Sequence, residues 1–412
     1  MDRFGAPLVA ACVILSMPGC GGDGSSPSSP SSPSSSFKVL YSFGASSTDG
    51  MDPQGLIQGT DGNFYGTTAN GGIYTAAYPG EPLNQGAVGA GTLFKITPAG
   101  VETVLHSFGG EGDSAFPRAE LVQGTNGNFY GITEGDVDGG ANIFEISPAG
   151  AETVLYSFLY PETFAPTGLL IKGMDGNFYG ATTGSDVNSS GTVFQLTPAG
   201  VITVLYSFPA LLNSQDEGDI GLNALIQGTD GNFYGTTLFG GTTGGGTVFT
   251  MNPAGVETVL YSFPTSTTSN PGAGIGAGGL IQGTDGNFYG TTPSGGTNNA
   301  GTVSEITPAG VVTVLASFGA SSTDGTAPIS VIQGADGNFY GITALGGTNG
   351  GGTIFKVTPA GVETVLYSFP AGLNTHDTIG PNGFIQGTDG SFYGTTQSGG
   401  ANGDGTVFKY TP

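Results

Sequence analysis

The chain has 412 residues, of which 79 are glycine and only 9% are charged. Its formal charge of −24 comes from 31 acidic residues against 7 Lys and Arg. Because such a field repels phosphate backbones and anionic lipids, we expect neither nucleic-acid binding nor membrane binding through basic patches. Glycine at this level without a collagen period predicts many tight turns, and 26 Phe with 16 Tyr supply a hydrophobic core.

The N-terminal residues 1–19 have the pattern of a signal peptide. A short apolar run follows Arg3, and it is too short for a permanent membrane helix. Cys20 comes next, followed by a Ser/Pro-rich stretch at 25–36 that predicts an extended spacer. This arrangement resembles a bacterial lipoprotein signal, although Met17 and Pro18 stand in place of the usual residues before the cysteine.

The lipoprotein resemblance implies a lipid anchor at Cys20 as the chain's one route to a membrane, with ordinary secretion as the alternative. In either case we expect an extracytoplasmic protein, at the outer membrane or cell surface by its lipid anchor, or secreted. Cys12 would be removed with the signal peptide, so the mature domain would have neither disulfide nor thiol chemistry.

One hexapeptide recurs along the rest of the chain. Asp-Gly-Asn-Phe-Tyr-Gly or a close variant begins at seven positions spaced 49 to 65 residues apart: Asp61, Asn126, Asp175, Asp230, Asp285, Asp336 and Asp389. This spacing is typical of propeller blades. Each copy predicts two hairpins, since Asp-Gly between β-rich runs favours one turn and Pro-Ala-Gly favours the next.

The two ends of the repeat region predict how the blades close into a ring. Residues 38–43 have the pattern of a lone final strand, and residues 406–411 end a copy that lacks that strand. Pairing them leaves no free sheet edge at the seam. The sequence therefore predicts an all-β fold, a seven-bladed β-propeller of four-stranded antiparallel blades over residues 37–412, after a signal peptide (1–19) and a linker (20–36).

The final strand of each predicted blade carries apolar residues on both faces. In the fourth copy Val259 and Tyr261 share one face, and Leu260 lies on the other. A strand of this kind is expected to be covered on both sides, as stacked blades would do.

The repeat resembles the GloVer-type repeat of bacterial extracellular proteins. The resemblance rests on Gly-Thr-Val-Phe-x-x-Thr-Pro-x-Gly and Asp-Gly-Asn-Phe-Tyr-Gly-Thr-Thr and extends over residues 37–412. It implies a secreted or surface location and no settled activity. The repeat is more distantly similar to the propeller repeats of hybrid sensor proteins and to the Asp-box of sialidases.

Alternation of the strands divides the predicted loops between two faces. The Asp-Gly and Pro-Ala-Gly turns are short and fall on one face, where we expect each repeated Asp to cap its own turn and each repeated Tyr to pack between blades. The other loops vary in length and sequence, so we predict that they form the binding face.

Several residues of the variable loops are candidates for binding. The longest loop, 69–91, holds an aromatic pair suited to stacking on a sugar or packing on a partner; a loop folded over its own aromatic residues is the alternative. Other loops are acidic, and one holds a His-Asp pair. The candidates are Tyr74, Tyr78, Asp49, Asp52, Asp113, Asp216, Glu217, Asp219, His376 and Asp377. His106 replaces the Tyr of other copies in a strand, and we expect it to be structural.

One acidic loop is similar to a calcium-binding loop. Glu134, Asp136 and Asp138 are spaced by two, and Glu145 stands at the twelfth position. Glu134 replaces the usual first Asp, and solvated acidic side chains are the alternative interpretation. Calcium is the one cofactor that the sequence suggests.

Composition and motifs favour a binding protein over an enzyme. Only two His are present, and no phosphate loop, zinc spacing or dinucleotide fingerprint occurs. We expect a non-catalytic, surface-anchored or secreted propeller that recognises a protein or glycan through its variable loop face. The alternative is an extracellular polysaccharide hydrolase or lyase that uses acidic loop residues near the central channel.

Overall fold

A computed structural model describes residues 35–76, 88–110, 113, 115–117, 120–135, 140–158, 166–182, 189–209, 221–242, 244–264, 279–371 and 381–412. The chain divides into the units Met1–Ser34 and Ser35–Pro412, and every described strand lies in the second. A search of the described ranges found no helix with the length and apolar character needed to cross a membrane.

Thirty strands are described. In chain order they are β1 (Ser36–Ser42), β2 (Gly50–Gln58), β3 (Phe64–Gly71), β4 (Thr75–Ala76), β5 (Val88–Gly89), β6 (Thr92–Ile96), β7 (Glu102–Ser107), β8 (Val122–Gln123), β9 (Phe129–Thr133), β10 (Asn142–Ile146), β11 (Glu152–Ser157), β12 (Pro166–Lys172), β13 (Phe178–Thr182), β14 (Ser189–Leu196) and β15 (Ile202–Pro209). They continue with β16 (Leu222–Gln227), β17 (Phe233–Thr237), β18 (Thr247–Met251), β19 (Glu257–Ser262), β20 (Leu280–Gln282), β21 (Phe288–Thr292), β22 (Thr302–Ile306), β23 (Val312–Ser317), β24 (Gly325–Gln333), β25 (Phe339–Gly346), β26 (Thr353–Val357), β27 (Glu363–Ser368), β28 (Pro381–Gln386), β29 (Phe392–Thr396) and β30 (Thr406–Thr411).

These strands form seven four-stranded antiparallel sheets, which are the blades of a β-propeller. Blade 1 has the order β2-β3-β6-β7, blades 2 to 6 each use four consecutive strands from β8 to β27, and blade 7 has the order β28-β29-β30-β1. Strands β4 and β5 form a separate two-stranded hairpin. The predicted fold and blade number are confirmed.

The ring closes in blade 7 by pairing of the two chain segments predicted for the seam. Strand β1 runs antiparallel to β30, with Ser36 opposite Thr411 and Ser42 opposite Thr406. The Phe43 N–H continues the ladder by donating to the Gly405 carbonyl at 3.0 Å. The strand begins two residues earlier than predicted, and the ring of Phe37 within it stacks on Tyr367 at 4.0 Å.

The repeated Asp caps its own turn, as predicted. In blade 1 Asp61 accepts hydrogen bonds from the Asn63 backbone N–H (3.1 Å), the Asn63 amide (2.7 Å) and the Tyr65 hydroxyl (2.8 Å). Gly62 has φ +80°, which explains why glycine follows the Asp. Although burial opposes it, these hydrogen bonds lower the pKa of Asp61.

The repeated Tyr and Phe join each blade to the next. The Tyr65 ring of blade 1 packs on Phe129 of blade 2 with centroids 4.2 Å apart. The same contact recurs at every junction, between Tyr130 and Phe178, Tyr179 and Phe233, Tyr234 and Phe288, Tyr289 and Phe339, Tyr340 and Phe392, and Tyr393 and Phe64. The predicted packing role of the Tyr is confirmed.

Glutamines of the innermost strands form a second connection on the face of the short turns. Gln58 donates to the Gly62 carbonyl of its own turn (3.0 Å) and accepts from the Thr388 N–H of the preceding blade (2.9 Å). The equivalent side chains are Gln123, Gln227, Gln282, Gln333 and Gln386. We call this face, with its Asp-Gly and Pro-Ala-Gly turns, the turn face.

The prediction that the outer strand is covered on both sides is wrong in one respect. Val248 pairs with Tyr261 and Phe249 with Val259, so the register shifts and Leu260 forms a β-bulge. The bulge lets Leu260 pack towards the core, while Val259 remains 48% exposed. Simple alternation fails here because the extra residue shifts the side-chain period.

Candidate functional site

The variable face lies opposite the turn face. It consists of the loops between the second and third strands of each blade and the loops between blades. Its described parts include residues 44–49, 72–74, 109–110, 113, 134–135, 238–242, 244–246, 293–301, 319–324, 347–352 and 397–405. These segments differ in sequence from blade to blade, whereas the turn face repeats the same turns.

Exposed apolar side chains occur on the variable face in clusters of different composition. Ile73 and Tyr74 are 60% and 43% exposed in blade 1, and Leu238 and Phe239 are exposed together in blade 4. Leu345 is exposed at the end of β25. The turn face exposes one valine at a recurring position after the Pro-Ala-Gly turn, as in Val101, Val201, Val256, Val311 and Val362. Single exposed residues of this kind are normal, whereas contiguous apolar surface is typical of interaction sites.

Tyr74 is held by its backbone and partly covered on one side. Its carbonyl accepts a hydrogen bond from the Ala90 N–H at 3.0 Å. A Cβ on Gly110 would lie 3.3 Å from the Tyr74 ring, so this glycine gives the ring its space. With this contact the side chain remains 43% exposed.

Asp49 is a structural residue of its loop. Only 5% exposed, it accepts hydrogen bonds from the Ala45 N–H, the Gly50 N–H and the Tyr41 hydroxyl at 2.8 to 2.9 Å. The heptapeptide Gly-Ala-Ser-Ser-Thr-Asp-Gly recurs at 319–325, where Asp324 accepts from the Ala320 N–H at 2.9 Å. Asp49 is therefore positioned to stabilise the loop.

Asp52 begins the innermost strand of blade 1 in a left-handed conformation with φ +59°. This conformation is uncommon for a residue other than glycine, and it directs the Asp52 N–H to the Asp404 carbonyl of blade 7 at 3.1 Å. Ala327, which also precedes a proline, has φ +53° and bonds the Ala300 carbonyl in the same way. Asp52 and Ala327 have the same backbone conformation and inter-blade hydrogen bond but different side chains. We infer that this position connects neighbouring blades through its backbone.

Acidic side chains meet between the outer strands of neighbouring blades. Burial, and next the charge of Asp49, raise the pKa of Glu102 to about 7. Burial and the charge of Asp324 raise the pKa of Glu363 to about 7 in the same way. One carboxylate oxygen of Glu102 and one of Glu363 are buried without a hydrogen-bond partner.

The corresponding junction between blades 1 and 2 contains His106, Asp113 and Glu152. His106 Nε2 lies 2.8 Å from Asp113 Oδ2, and one ligand atom from each of the three residues lies within 4.8 Å of the others. Burial, followed by the charge of Asp113, raises the pKa of Glu152 to about 7, while His106 opposes this shift. Among the described residues, His106, Asp113 and Glu152 thus bring an imidazole and two carboxylates together.

The predicted calcium loop is described only at Glu134, an exposed residue. Glu145, the predicted twelfth-position residue, instead accepts hydrogen bonds from the Asn126 amide (2.8 Å), the Asn128 amide (2.7 Å) and the Tyr130 hydroxyl (2.8 Å). It thereby supplies the carboxylate that blade 2 lacks at Asn126. Glu145 is thus engaged at the turn face and does not belong to the loop of Glu134.

Glu120 lies where the innermost strands of three blades converge. It precedes β8 of blade 2, and a Cβ on Gly55 of blade 1 would collide with its side chain. A Cβ on Gly383 of blade 7 would lie 3.4 Å from its carboxylate oxygen. The residue is exposed, yet the surrounding protein desolvates the carboxyl group and raises its pKa.

Nine sequence-predicted residues lie outside the described residues. They are Cys20, Tyr78, Asp136, Asp138, Asp216, Glu217, Asp219, His376 and Asp377. Their roles stay predictions, as does the grouping of the candidate binding residues into one site.

Sequence reasoning missed Glu102, Glu152 and Glu120. The first two had a signal, because a Glu opens the outer strand in several copies while an Asp stands in the preceding interblade loop. Their proximity still depends on how neighbouring blades tilt, which the linear sequence does not give. The sequence marks Glu120 only weakly as a candidate, because it lies near positions where other copies have glycine.

The sequence profile of the Gloeobacter/Verrucomicrobia repeat family matches residues 29–219, 77–284 and 222–412. No curated protein sequence matches the chain.

Solved structures with the same architecture are distant in sequence. The chain resembles virginiamycin B lyase from Staphylococcus aureus, solved with quinupristin, at 16% identity and TM-score 0.58, with 92% of this chain and 100% of that chain covered. It also resembles the extracellular domain of a putative hybrid two component system from B. thetaiotaomicron at 13% identity and TM-score 0.53, covering 91% of this chain and 41% of that one. A periplasmic gluconolactonase of Pseudomonas aeruginosa gives 16% identity and TM-score 0.51, covering 78% and 86%. At these identities the likeness shows the fold alone.

The acidic junctions predict that the propeller loses stability as pH rises through a defined window. Because the pKa of Glu102 and of Glu363 is about 7 in the folded chain and 4.5 ordinarily, the folded state binds more protons between these values. Stability should therefore fall between about pH 4.5 and pH 7. The double variant Glu102→Gln/Glu363→Gln should raise the melting temperature at pH 8 by about 1–3 °C and flatten its pH dependence.

Glu134→Gln is the matched control for this experiment, since it removes one carboxylate from an exposed loop position. It should leave the pH dependence of the melting temperature unchanged. Differential scanning fluorimetry across pH 4 to 8 is sufficient to compare the variants. A double variant with an unchanged pH profile would show that the two glutamates do not titrate in this window.

Proposed function

The chain belongs to the Gloeobacter/Verrucomicrobia repeat family, and we propose that it is a non-catalytic, extracytoplasmic binding propeller. Its partner contacts the variable face. The observation that carries this proposal is the clustering of exposed apolar side chains there, at Ile73 with Tyr74 and at Leu238 with Phe239. On the turn face, by contrast, the Asp, Tyr and Gln side chains are committed to turns and blade junctions.

A protein is the partner that these side chains favour. Ile73, Leu238 and Leu345 are aliphatic and 38 to 60% exposed, and burying such groups against a partner supplies a hydrophobic driving force. Glycan recognition relies on aromatic faces, and the chain has no Trp. Glycan binding is the other outcome that the test distinguishes.

Replacing exposed apolar residues of the variable face should weaken binding. We expect the triple variant Ile73→Ser/Tyr74→Ser/Phe239→Ser to weaken co-sedimentation of the purified protein with cell envelopes of the source organism by at least about tenfold, since losing about 1.4 kcal/mol has that effect. Its matched control, Val101→Ser/Val256→Ser/Val362→Ser, removes apolar groups of similar exposure from the turn face and should bind as the wild type does.

Treatment of the envelopes identifies the class of partner. Loss of binding after protease treatment indicates a protein, and loss after periodate oxidation indicates a glycan. Binding that survives in the variable-face variant and fails in the turn-face variant would overturn the proposal. Circular dichroism of both variants ensures that the comparison is between folded proteins.

A second candidate function is an extracellular polysaccharide hydrolase or lyase, and Glu120 is the observation that favours it. Glu120 is an exposed residue beside the innermost strands, and desolvation by the surrounding protein raises the pKa of its carboxyl group. Such a group has the properties of a general acid. The lyase and the gluconolactonase named above are enzymes by their titles, and this fold is therefore compatible with catalysis.

Polysaccharide cleavage by the wild type and by Glu120→Gln tests this second candidate. If Glu120 is the acid, release of new chain ends should fall by about 10²-fold or more in the variant, in keeping with the loss of a general acid. Glu363→Gln should retain full activity, because that carboxyl group also has a raised pKa but lies on the outer strand β27. Equal product release by wild type and Glu120→Gln would remove the basis of the candidate.

We infer that the mature protein is exported and retained by a lipid on Cys20. Support comes from the apolar N-terminal run, the cysteine that follows it and the Ser/Pro-rich spacer. A spacer of this kind would hold the folded domain off the membrane surface.

Mass spectrometry of the mature N-terminus tests the anchor. We expect the chain to begin at a diacylglyceryl-modified Cys20, and Cys20→Ser to release the protein from the membrane fraction. The substitution should leave the folded propeller unchanged, because every described strand lies in Ser35–Pro412. An unmodified mature N-terminus at another residue would indicate ordinary secretion.

A further inference from the structure

We propose that His106, Asp113 and Glu152 bind a divalent transition-metal ion between blades 1 and 2, with Zn²⁺ as the probe. His106 lies in β7 of blade 1, Asp113 follows in the loop that leaves this strand, and Glu152 opens β11 of blade 2. One nitrogen and two carboxylate oxygens from these residues lie within 4.8 Å of one another. An ion held by all three would therefore join two blades.

The same junction elsewhere in the ring shows what His106 changes. Between blades 7 and 1, Tyr41 takes the position of His106, and its hydroxyl donates to Asp49 at 2.9 Å. Glu102 stands beside that pair and interacts with both residues. A phenol bonds the aspartate only as a hydrogen-bond donor, whereas the imidazole Nε2, 2.8 Å from Asp113, donates when protonated and offers its lone pair to a metal when deprotonated.

Other copies confirm that the imidazole is particular to this junction. The position holds Tyr41, Tyr156, Tyr206, Tyr261, Ala316 and Tyr367 in the remaining copies. The glutamate, in contrast, recurs in Glu102 and Glu363, each with one buried carboxylate oxygen that has no hydrogen-bond partner, as in Glu152. The repeat thus presents an unsatisfied carboxylate oxygen at several junctions, and His106 adds a metal-binding nitrogen at one.

The donor set selects the class of ion. One imidazole nitrogen with two carboxylate oxygens suits Zn²⁺ and related divalent metals, and catalytic zinc sites use three protein ligands of these types. Calcium prefers six to eight oxygen ligands, so the His106 nitrogen disfavours it. The side chain of Asp113 is 8% exposed and that of His106 is 21% exposed, so the ligands are largely shielded from competing water.

Binding of Zn²⁺ to the metal-depleted full chain tests this assignment by isothermal titration calorimetry. We expect one ion per chain with micromolar or tighter affinity and a rise in melting temperature, because a ligand that binds the folded state stabilises it. The key variant is His106→Tyr, which installs the residue that other blades carry and should therefore fold. It should lose Zn²⁺ binding and the zinc-dependent rise, while its melting temperature in chelator matches the wild type.

Two further variants separate this site from adventitious binding. Glu152→Gln should weaken Zn²⁺ affinity by about 10-fold or more, because losing even an outer-shell partner of a metal site has an effect of this size. Glu102→Gln changes the equivalent glutamate of the neighbouring junction and should leave Zn²⁺ affinity unchanged. His376→Ala removes the other histidine and should leave binding intact. A wild type that binds no Zn²⁺ at 100 μM, or a His106→Tyr variant with wild-type affinity, would overturn the proposal.

Discussion

Packing of a tyrosine ring against the tilted phenylalanine ring of the next blade is the interaction on which the rest of this structure depends. It occurs at all seven junctions with ring centroids 4.0 to 4.4 Å apart, including the junction that closes the ring. Offset aromatic pairs add stabilisation beyond the area they bury. Six of the seven tyrosine hydroxyls donate to the aspartate of their own turn, as Tyr65 does to Asp61, and Tyr130 donates to Glu145 instead. The recurring hexapeptide is thus a blade-to-blade connector.

Because the repeated residues form the turns and blade junctions, sequence variation is tolerated on one face of the propeller and not on the other. On the turn face a change at the Asp, Tyr or Gln positions would disturb a turn and a junction together, because one side chain serves both. On the variable face the loops carry their own internal stabilisation, as the hydrogen bonds of Asp49 illustrate. Exposed groups such as Tyr74 and Phe239 are therefore free to differ between blades without cost to the ring.

The outer junctions show how a repeated scaffold diversifies one position. Tyr41, His106 and Ala316 occupy the same place beside an aspartate and a glutamate. The phenol donates a hydrogen bond to its aspartate, the imidazole has a nitrogen that could bind a metal, and the alanine has neither group. The backbone is the same in each case, so the chemistry of the junction follows from one side chain.

The sequence by itself determined the blade number, the closing strand pair and the structural role of the Asp and Tyr, because turn chemistry and repeat period are local properties of the chain. It also divided the loops between two faces, since antiparallel strands must alternate. Only the tertiary structure placed Glu102 beside Asp49, Glu152 beside His106 and Asp113, and Glu120 against Gly55. It also showed the bulge at Leu260 that leaves Val259 exposed. These outcomes depend on the tilt and approach of neighbouring blades, and residues about 40 to 65 positions apart meet through a geometry that no local pattern encodes.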